Sequence, residues 1–359
     1  MILLISVLLI WTVCALGSHT FMGVQFSKQA TVPLRGLLAI GIVLHHLSLR
    51  LVEASPDCHW IWSQFSFWGA PIVAVFFFLS GYGLMVSLIT KGQKYLDGFL
   101  KKRLLKIVLP LVLCSIVFEA TSITLWGGQI ADFRKDWPFL PNCWFCVTII
   151  IYYFAFYITA LLFKSSPIKV AYSMWLFSFV YVFLFKVMDF CNWWYQMVLS
   201  INIGMTLAYY ETAIRNVLYK YKRTIVLLLF LLTFLSAYWA SCSETDDFPV
   251  GMMGLSLVVG LLIYSSLCFR PIKSNRLLTF FGKHSFEIYL IHGAVISVLF
   301  GMAYTYIPRW WHVFTILTFL ATFFFAWILR KVMKVVNQRF IKFICVEFLE
   351  RHDAMSGVS

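Results

Sequence analysis

Uninterrupted apolar runs of about twenty residues recur from one end of this chain to the other, and nothing else in the sequence restricts its fold as strongly. Such runs need lipid as solvent, and only α-helices or closed barrels satisfy the backbone there. The runs lack the alternation of barrel strands, so they predict helices. Composition agrees: 61% of the 359 residues are hydrophobic and 12% are charged, with a mean hydropathy of +0.85. That is too little charge to cover a water-soluble domain. Spans are expected near 1–17, 32–50, 67–90, 105–127, 142–163, 168–188, 193–210, 223–241, 250–269, 285–307 and 311–336. The fold class is all-α and polytopic, with about ten core transmembrane helices plus one extra N-terminal helix. The first run has neither a basic n-region nor an A-x-A cleavage site, which favours an uncleaved helix over a signal peptide.

The net charge of +14 invites a nucleic-acid reading, but its distribution points elsewhere. Of 29 Lys and Arg residues, 24 fall in alternate loops: Lys28–Arg35, 91–106, 164–169, 215–223, 270–283 and 330–351. This is the positive-inside pattern, and it puts Arg35 and the C-terminus on the cytoplasmic side. Glu53, Asp57, Asp132, Asp136, Asp189, Glu244, Asp246 and Asp247 fall on the other side. Nucleic acid is therefore not an expected partner; membrane lipids are. The nine cysteines show no metal-ligand spacing, Cys143 and Cys146 having no matching second pair, and no metal is expected. Cys58, Cys143, Cys191 and Cys242 fall near the outer face, where pairing is chemically possible, but small apolar packing residues are the simpler reading.

Against this background the stretch RGLLAIGIVLHH, residues 35–46, stands out, because a charge inside an apolar span is expensive and usually faces a working interior. Arg35 and His46 are eleven residues apart, which at ~100° per residue returns to within about 20° of one helical face and about 16 Å deeper. His45 points about 80° away and reads as a packing or supporting group. By the same depth counting Ser80 lies about 16 Å, His292 about 13 Å and Glu119 about 20 Å from the nearest cytoplasmic lysine. Polar groups from four helices thus fall near one layer, which suggests a tunnel rising from a basic floor. Each has a plainer reading: an intramembrane His can bond a neighbouring helix, Ser80-Gly81 can be a small-residue helix contact, and Glu119 can be a structural partner. The basic segment KYLDGFLKKRLLKIVLP, residues 94–110, with Lys102 and Arg103, is either a headgroup-facing flank or a clamp for a phosphate-bearing ligand.

Five segments in order resemble the acyltransferase family 3 membrane proteins: Arg35 and His46 in RGLLAIGIVLHH; Ser80, Gly81 and Tyr82 in VFFFLSGYGL; KKRLLKIVLP; Trp144 and Phe145 in CWFCVTIIIYY; and GKHSFEIYLIH, ending on His292. The resemblance runs from about residue 28 to 336. It implies a ten-span membrane domain over 28–336, preceded by an extra hydrophobic segment, 1–27, and followed by a cytoplasmic tail, 337–359. It further implies O-acyl transfer, usually acetyl, from acyl-CoA on the cytoplasmic side to a glycan or lipid-linked sugar at a bacterial plasma membrane. Acetyl-CoA would be a donor substrate, with no bound cofactor. The departures are the extra first segment and Lys102 and Lys106 where arginines are common, since lysine lacks the bidentate fork. The chain shows no fused extracytoplasmic hydrolase-like domain, so transfer is expected within the membrane part.

The resulting role assignment places His46 and Arg35 at the reaction, Ser80, Tyr82, Lys102, Arg103, Trp144 and His292 around the substrates, and Glu119 and His45 in support. His46 is expected to act as general base and Arg35 to hold the CoA end. A transporter or exporter of a glycan or small anion is the alternative, since transporters also place charges near the midplane. Paired repeats and broken helices, which would mark one, are not found by inspection. Cysteine-accessibility labelling checks the layout: loops 91–106 and 270–283 are expected to label from the cytoplasm and loop 243–249 from outside, and outside labelling of 270–283 would overturn it.

Overall fold

In a computed structural model the chain is a bundle of helices, with no strand among the described residues. The structure describes residues 29–54, 59–126, 143–242, 249–269 and 272–356, with side chains to 336, and scattered positions among the first seventeen. The helices are α1 (Val32–Ala54), α2 (His59–Trp62), α3 (Gly69–Lys91), α4 (Phe99–Trp126), α5 (Trp144–Leu162), α6 (Pro167–Val187), α7 (Leu199–Tyr209), α8 (Glu211–Lys220), α9 (Lys222–Cys242), α10 (Val250–Phe269), α11 (Arg276–Lys283), α12 (Ser285–Ala303) and α13 (Ile307–Ser356). The expected first helix, 1–17, lies largely outside the described residues.

Eight stretches among the described residues are long and apolar enough to cross a membrane, the last being Ser285–Val336, 52 residues that turn through Tyr304–Tyr306 between α12 and α13. The expected span 193–210 is different. Its helix, α7, has eleven residues, and eight of them are buried. Eleven residues rise only about 16 Å, roughly half of a hydrocarbon core. The run is apolar because protein surrounds it on nearly every side.

Packing contacts close a ring: α1 on α3, α3 on α7, α7 on α6, α6 on α5, α5 on α4, α4 on α12, and α12 back on α1. Helices α9 and α10 pair on the α3–α7 side, and α13 packs on α12 and α1. Outward faces are apolar, as with Ile116, Leu162, Leu176, Phe183 and Leu320, which suits lipid. The cysteines at 114, 143, 146, 191, 242 and 268 are free thiols, and Cys58 lies outside the described residues.

At two crossings a glycine from each helix meets the backbone of the other. A Cβ on Gly81 would strike the Ile201 carbonyl of α7, and one on Gly204 would strike the Phe78 carbonyl of α3. A Cβ on Gly36 would strike the Leu278 carbonyl of α11, and one on Gly282 the Val32 carbonyl of α1. Small residues that let backbones meet are the usual means of joining helices in lipid, where burial from water offers no drive. Asn275 caps α11, its side chain accepting from the Leu278 N–H at 2.7 Å. Gly204→Val should therefore destabilise the protein by at least about 1–3 kcal/mol, read as a lower midpoint in thermal unfolding of the detergent-solubilised chain. Gly83→Ala, where nothing lies within 4 Å of the added carbon, should leave that midpoint unchanged or raise it.

Candidate active site

Residues of α1, α3, α4, α5, α11, α12 and α13 line a cavity of about 840 Å³. Its lining includes five cations, Arg35, Arg103, Lys106, Lys283 and Arg330, and one carboxylate, Glu287. Glu287 pairs with Arg330 at 3.9 Å and sits in the first turn of α12, where the helix dipole favours a negative charge. A second cavity, of about 410 Å³, opens between α1 and α3 and includes Thr31, Tyr82, Gly83 and Ser87. The two share Arg35, Phe76, Ser80, Arg103 and Tyr153, so Arg35 and Arg103 stand where both meet.

The local sequence explains this convergence. The Gly36–Gly282 crossing brings α11 and the start of α12 against the first turns of α1, which sets Gly282, Lys283 and Ser285 around the same cavity as Arg35. The Gly81–Gly204 crossing fixes α3, so that Ser80 faces the shared space. Ser80 donates to the Phe76 carbonyl one turn back, at 2.9 Å. Arg103 is held on three sides: it donates to the Tyr95 hydroxyl at 2.7 Å, and its guanidinium lies 5.8 Å from the Phe99 ring and 5.5 Å from the Tyr153 ring. Rings facing a guanidinium supply cation–π attraction and shield it from lipid.

Further along the same helices lies a group of histidines. The His46 and His292 rings are 4.9 Å apart, and His45 is 4.6 Å from His46. His292 is fully buried and His46 half-buried. The His292 Nδ1 lies 2.6 Å from the Tyr289 carbonyl. A carbonyl can only accept, so Nδ1 carries the hydrogen and Nε2 of the neutral ring presents a lone pair; that Nε2 is buried with no hydrogen-bond partner among the described residues. His46 makes no hydrogen bond among the described residues. His45 is tied down instead: its Nδ1 faces the Phe65 carbonyl at 3.3 Å, and its ring fills the space above Gly69.

The structure thus brings Arg35, Ser80, Tyr82 and Arg103 to the cavities and His292 to His46. The single polar layer expected from depth counting resolves into two levels: Ser80 meets Arg35 at the junction of the cavities, while His46 meets His292 beyond it. Lys102 is not brought in. It is exposed and donates to the Asp97 carbonyl at 3.1 Å, because it sits about 100° around α4 from Arg103. Trp144 packs on Phe77 and Trp194 and lines neither cavity, though its neighbour Phe145 lines the larger one. Glu119 lines neither. Glu53 is exposed beside Arg50 at 3.9 Å, away from His46. No three His, Cys, Asp or Glu side chains among the described residues are placed to hold a metal ion.

Sequence reasoning missed Tyr153, Arg330, Glu287 and Glu211. Tyr153 had a signal: Phe145, Ile149 and Tyr153 recur every four residues on one face of α5, and all three line the larger cavity. Glu211 had none. It accepts from the Tyr82 hydroxyl at 2.7 Å and the Tyr264 hydroxyl at 3.3 Å, joining residues 129 and 53 positions apart.

A family model described as an acyltransferase domain matches residues 34–331, which contain every cavity side chain named above except Thr31, and both rings of the His46–His292 pair. The chain belongs to acyltransferase family 3. No curated protein and no solved structure matches it. It is a multi-pass membrane acyltransferase. The two adjacent cations on α4 separate cavity from surface in this acyltransferase. Arg103→Ala should lower acyl transfer by at least about tenfold, as loss of a charge-assisted contact does, whereas Lys102→Ala should stay near the wild-type rate. Transfer by membranes carrying matched amounts of each variant decides this.

Proposed function

We propose that this acyltransferase moves an acyl group, acetyl by preference, from acyl-CoA to a hydroxyl of a cell-surface glycan or lipid-linked sugar in a bacterial plasma membrane. The observation that carries the reading is one cavity with two unlike ends. Five cations crowd one end, and the other is aromatic and includes Tyr289, whose ring packs on His292, the neighbour of His46. Acyl-CoA has the same polarity: phosphates at one end, a small thioester at the other. The cytoplasmic face is then the one bearing Lys106, Lys283 and Arg330, and the C-terminus lies on that side, in keeping with the charge bias of the loops. Transport of a glycan or anion gains nothing from an aromatic dead end.

In this reading Arg35 and Arg103 hold donor phosphates through charge-assisted hydrogen bonds, with the open N-terminus of α12 adding to the attraction. Ser80 and Tyr82 line the donor's path. His46 takes the proton of the acceptor hydroxyl as its oxygen attacks the thioester carbonyl. The carbon–sulfur bond then breaks, an ester forms, and the CoA thiolate recovers the proton from the imidazolium. His292, with Nδ1 committed to the Tyr289 carbonyl, presents Nε2 as an acceptor for a second hydroxyl of the acceptor sugar. His45 supports His46 by packing.

Mass analysis of surface glycans with and without the protein tests the reading: an acyl mass increment that depends on it identifies both group and acceptor, and identical glycan masses would overturn it. His46→Ala should reduce transfer by about 10²–10⁴-fold while donor binding persists, and His45→Ala should be much milder. Arg35→Lys should weaken donor binding while keeping the charge, because the guanidinium fork is lost. Unchanged donor affinity would leave Arg35 as a topology anchor only.

A further inference from the structure

The reach of the larger cavity is set by side chains. On α5, Tyr153 stands beside Arg103, and Phe145 lies eight residues back on the same face, about 12 Å further in. On α3, Phe76 is one turn inward of Ser80. On α12, Tyr289 is one turn inward of Ser285. These three rings form the far end of the cavity, and Phe145 and Tyr289 meet edge to face at 5.3 Å. Tyr289 also packs on His292, at 5.6 Å, and His292 on His46, at 4.9 Å.

Both rings are backed. Phe145 rests on Phe77, which is fully buried, at 4.7 Å. Tyr289 is itself buried, and its hydroxyl lies against the Phe145 backbone in the first turn of α5. The first backbone N–H groups of a helix have no intrahelical partner, so this contact also ties the two rings to one place. A ring that is packed on its far side cannot yield to a longer guest without moving its neighbours.

We infer that Phe145 and Tyr289 are the specificity-determining residues that limit the length of the transferred acyl group, an assignment that rests on the acyl-CoA reading above. A two-carbon acyl group fits against the two rings; each further methylene has to displace one of them. A pocket that discriminates by methylenes typically does so by roughly 10–200-fold per group.

The test needs no acceptor. Two non-transferable thioethers, S-ethyl-CoA and S-hexyl-CoA, are titrated calorimetrically into the full chain in lipid nanodiscs. The wild type should bind S-ethyl-CoA at least about tenfold more tightly than S-hexyl-CoA. Phe145→Ala should bring the two affinities together or invert their order. Tyr289→Phe, which keeps the ring and loses the hydroxyl, should retain most of the wild-type preference. Equal affinities in the wild type, or a preserved preference in a Phe145→Ala protein that still binds S-ethyl-CoA, would overturn the inference. Should Phe145→Ala fail to fold or bind neither compound, Phe145→Leu and Tyr289→Leu decide by the same ratio. Binding of neither thioether by the wild type would overturn the donor reading itself, an outcome distinct from loss of length discrimination.

Discussion

Backbone-to-backbone contact at two glycine crossings is the constraint on which the rest of this protein depends. Lipid is as apolar as the helices it surrounds, so burial from water does not hold one helix to another. Close packing has to do so, and it is closest where Gly81 and Gly204 join α3 to α7 and where Gly36 and Gly282 join α1 to α11. Each crossing also fixes part of the site. The first lies between Ser80 and Tyr82, two residues that line the second cavity. The second lies one residue from Arg35 and one from Lys283, two of the five cations. The residues of the recognisable motifs therefore have two physical jobs: the glycines set the distance between helices, and their neighbours are delivered by that distance.

The cations pose the opposite difficulty. A guanidinium at membrane depth is costly unless protein or water houses it. Arg103 is housed by the Tyr95 hydroxyl and by the rings of Phe99 and Tyr153, and Arg330 by the Glu287 carboxylate. With five cations around one space and a single carboxylate among them, the cavity carries an excess of positive charge that an anionic ligand relieves. The histidine level is arranged differently. It is built from aromatic and imidazole rings, with His292 fully buried. Cations and imidazoles are thus separated along the helix axes; in the proposed reaction a donor's phosphates would stay at the basic mouth while its reactive end points toward the histidines.

The all-α, membrane-spanning class and the bounds of most described helices were legible to the extent that apolar length reports lipid. Residues 193–210 mark the limit of that signal. A segment wrapped by protein is as apolar as one wrapped by lipid, and only the packing of α7 among α3, α6 and α10 shows which it is. The Arg35–His46 spacing was legible because helical periodicity is local, and the same periodicity separates Lys102 from Arg103. Which of those two faces inward is not local, since it depends on how α4 is rotated against α5 and α12.

The sequence by itself determined what depends on neighbours a few turns apart: helices in lipid, a basic side, a charged stripe on α1, and small residues where helices could meet. Tertiary structure decided every pairing between helices. His292 became the companion of His46, Tyr153 a flank of Arg103, and Glu211 the acceptor for Tyr82, each across a long stretch of chain. The reason is geometric. Depth along a helix follows from counting residues at a fixed rise, but azimuth and tilt are set by the packing of neighbouring helices, and no count along one helix contains them.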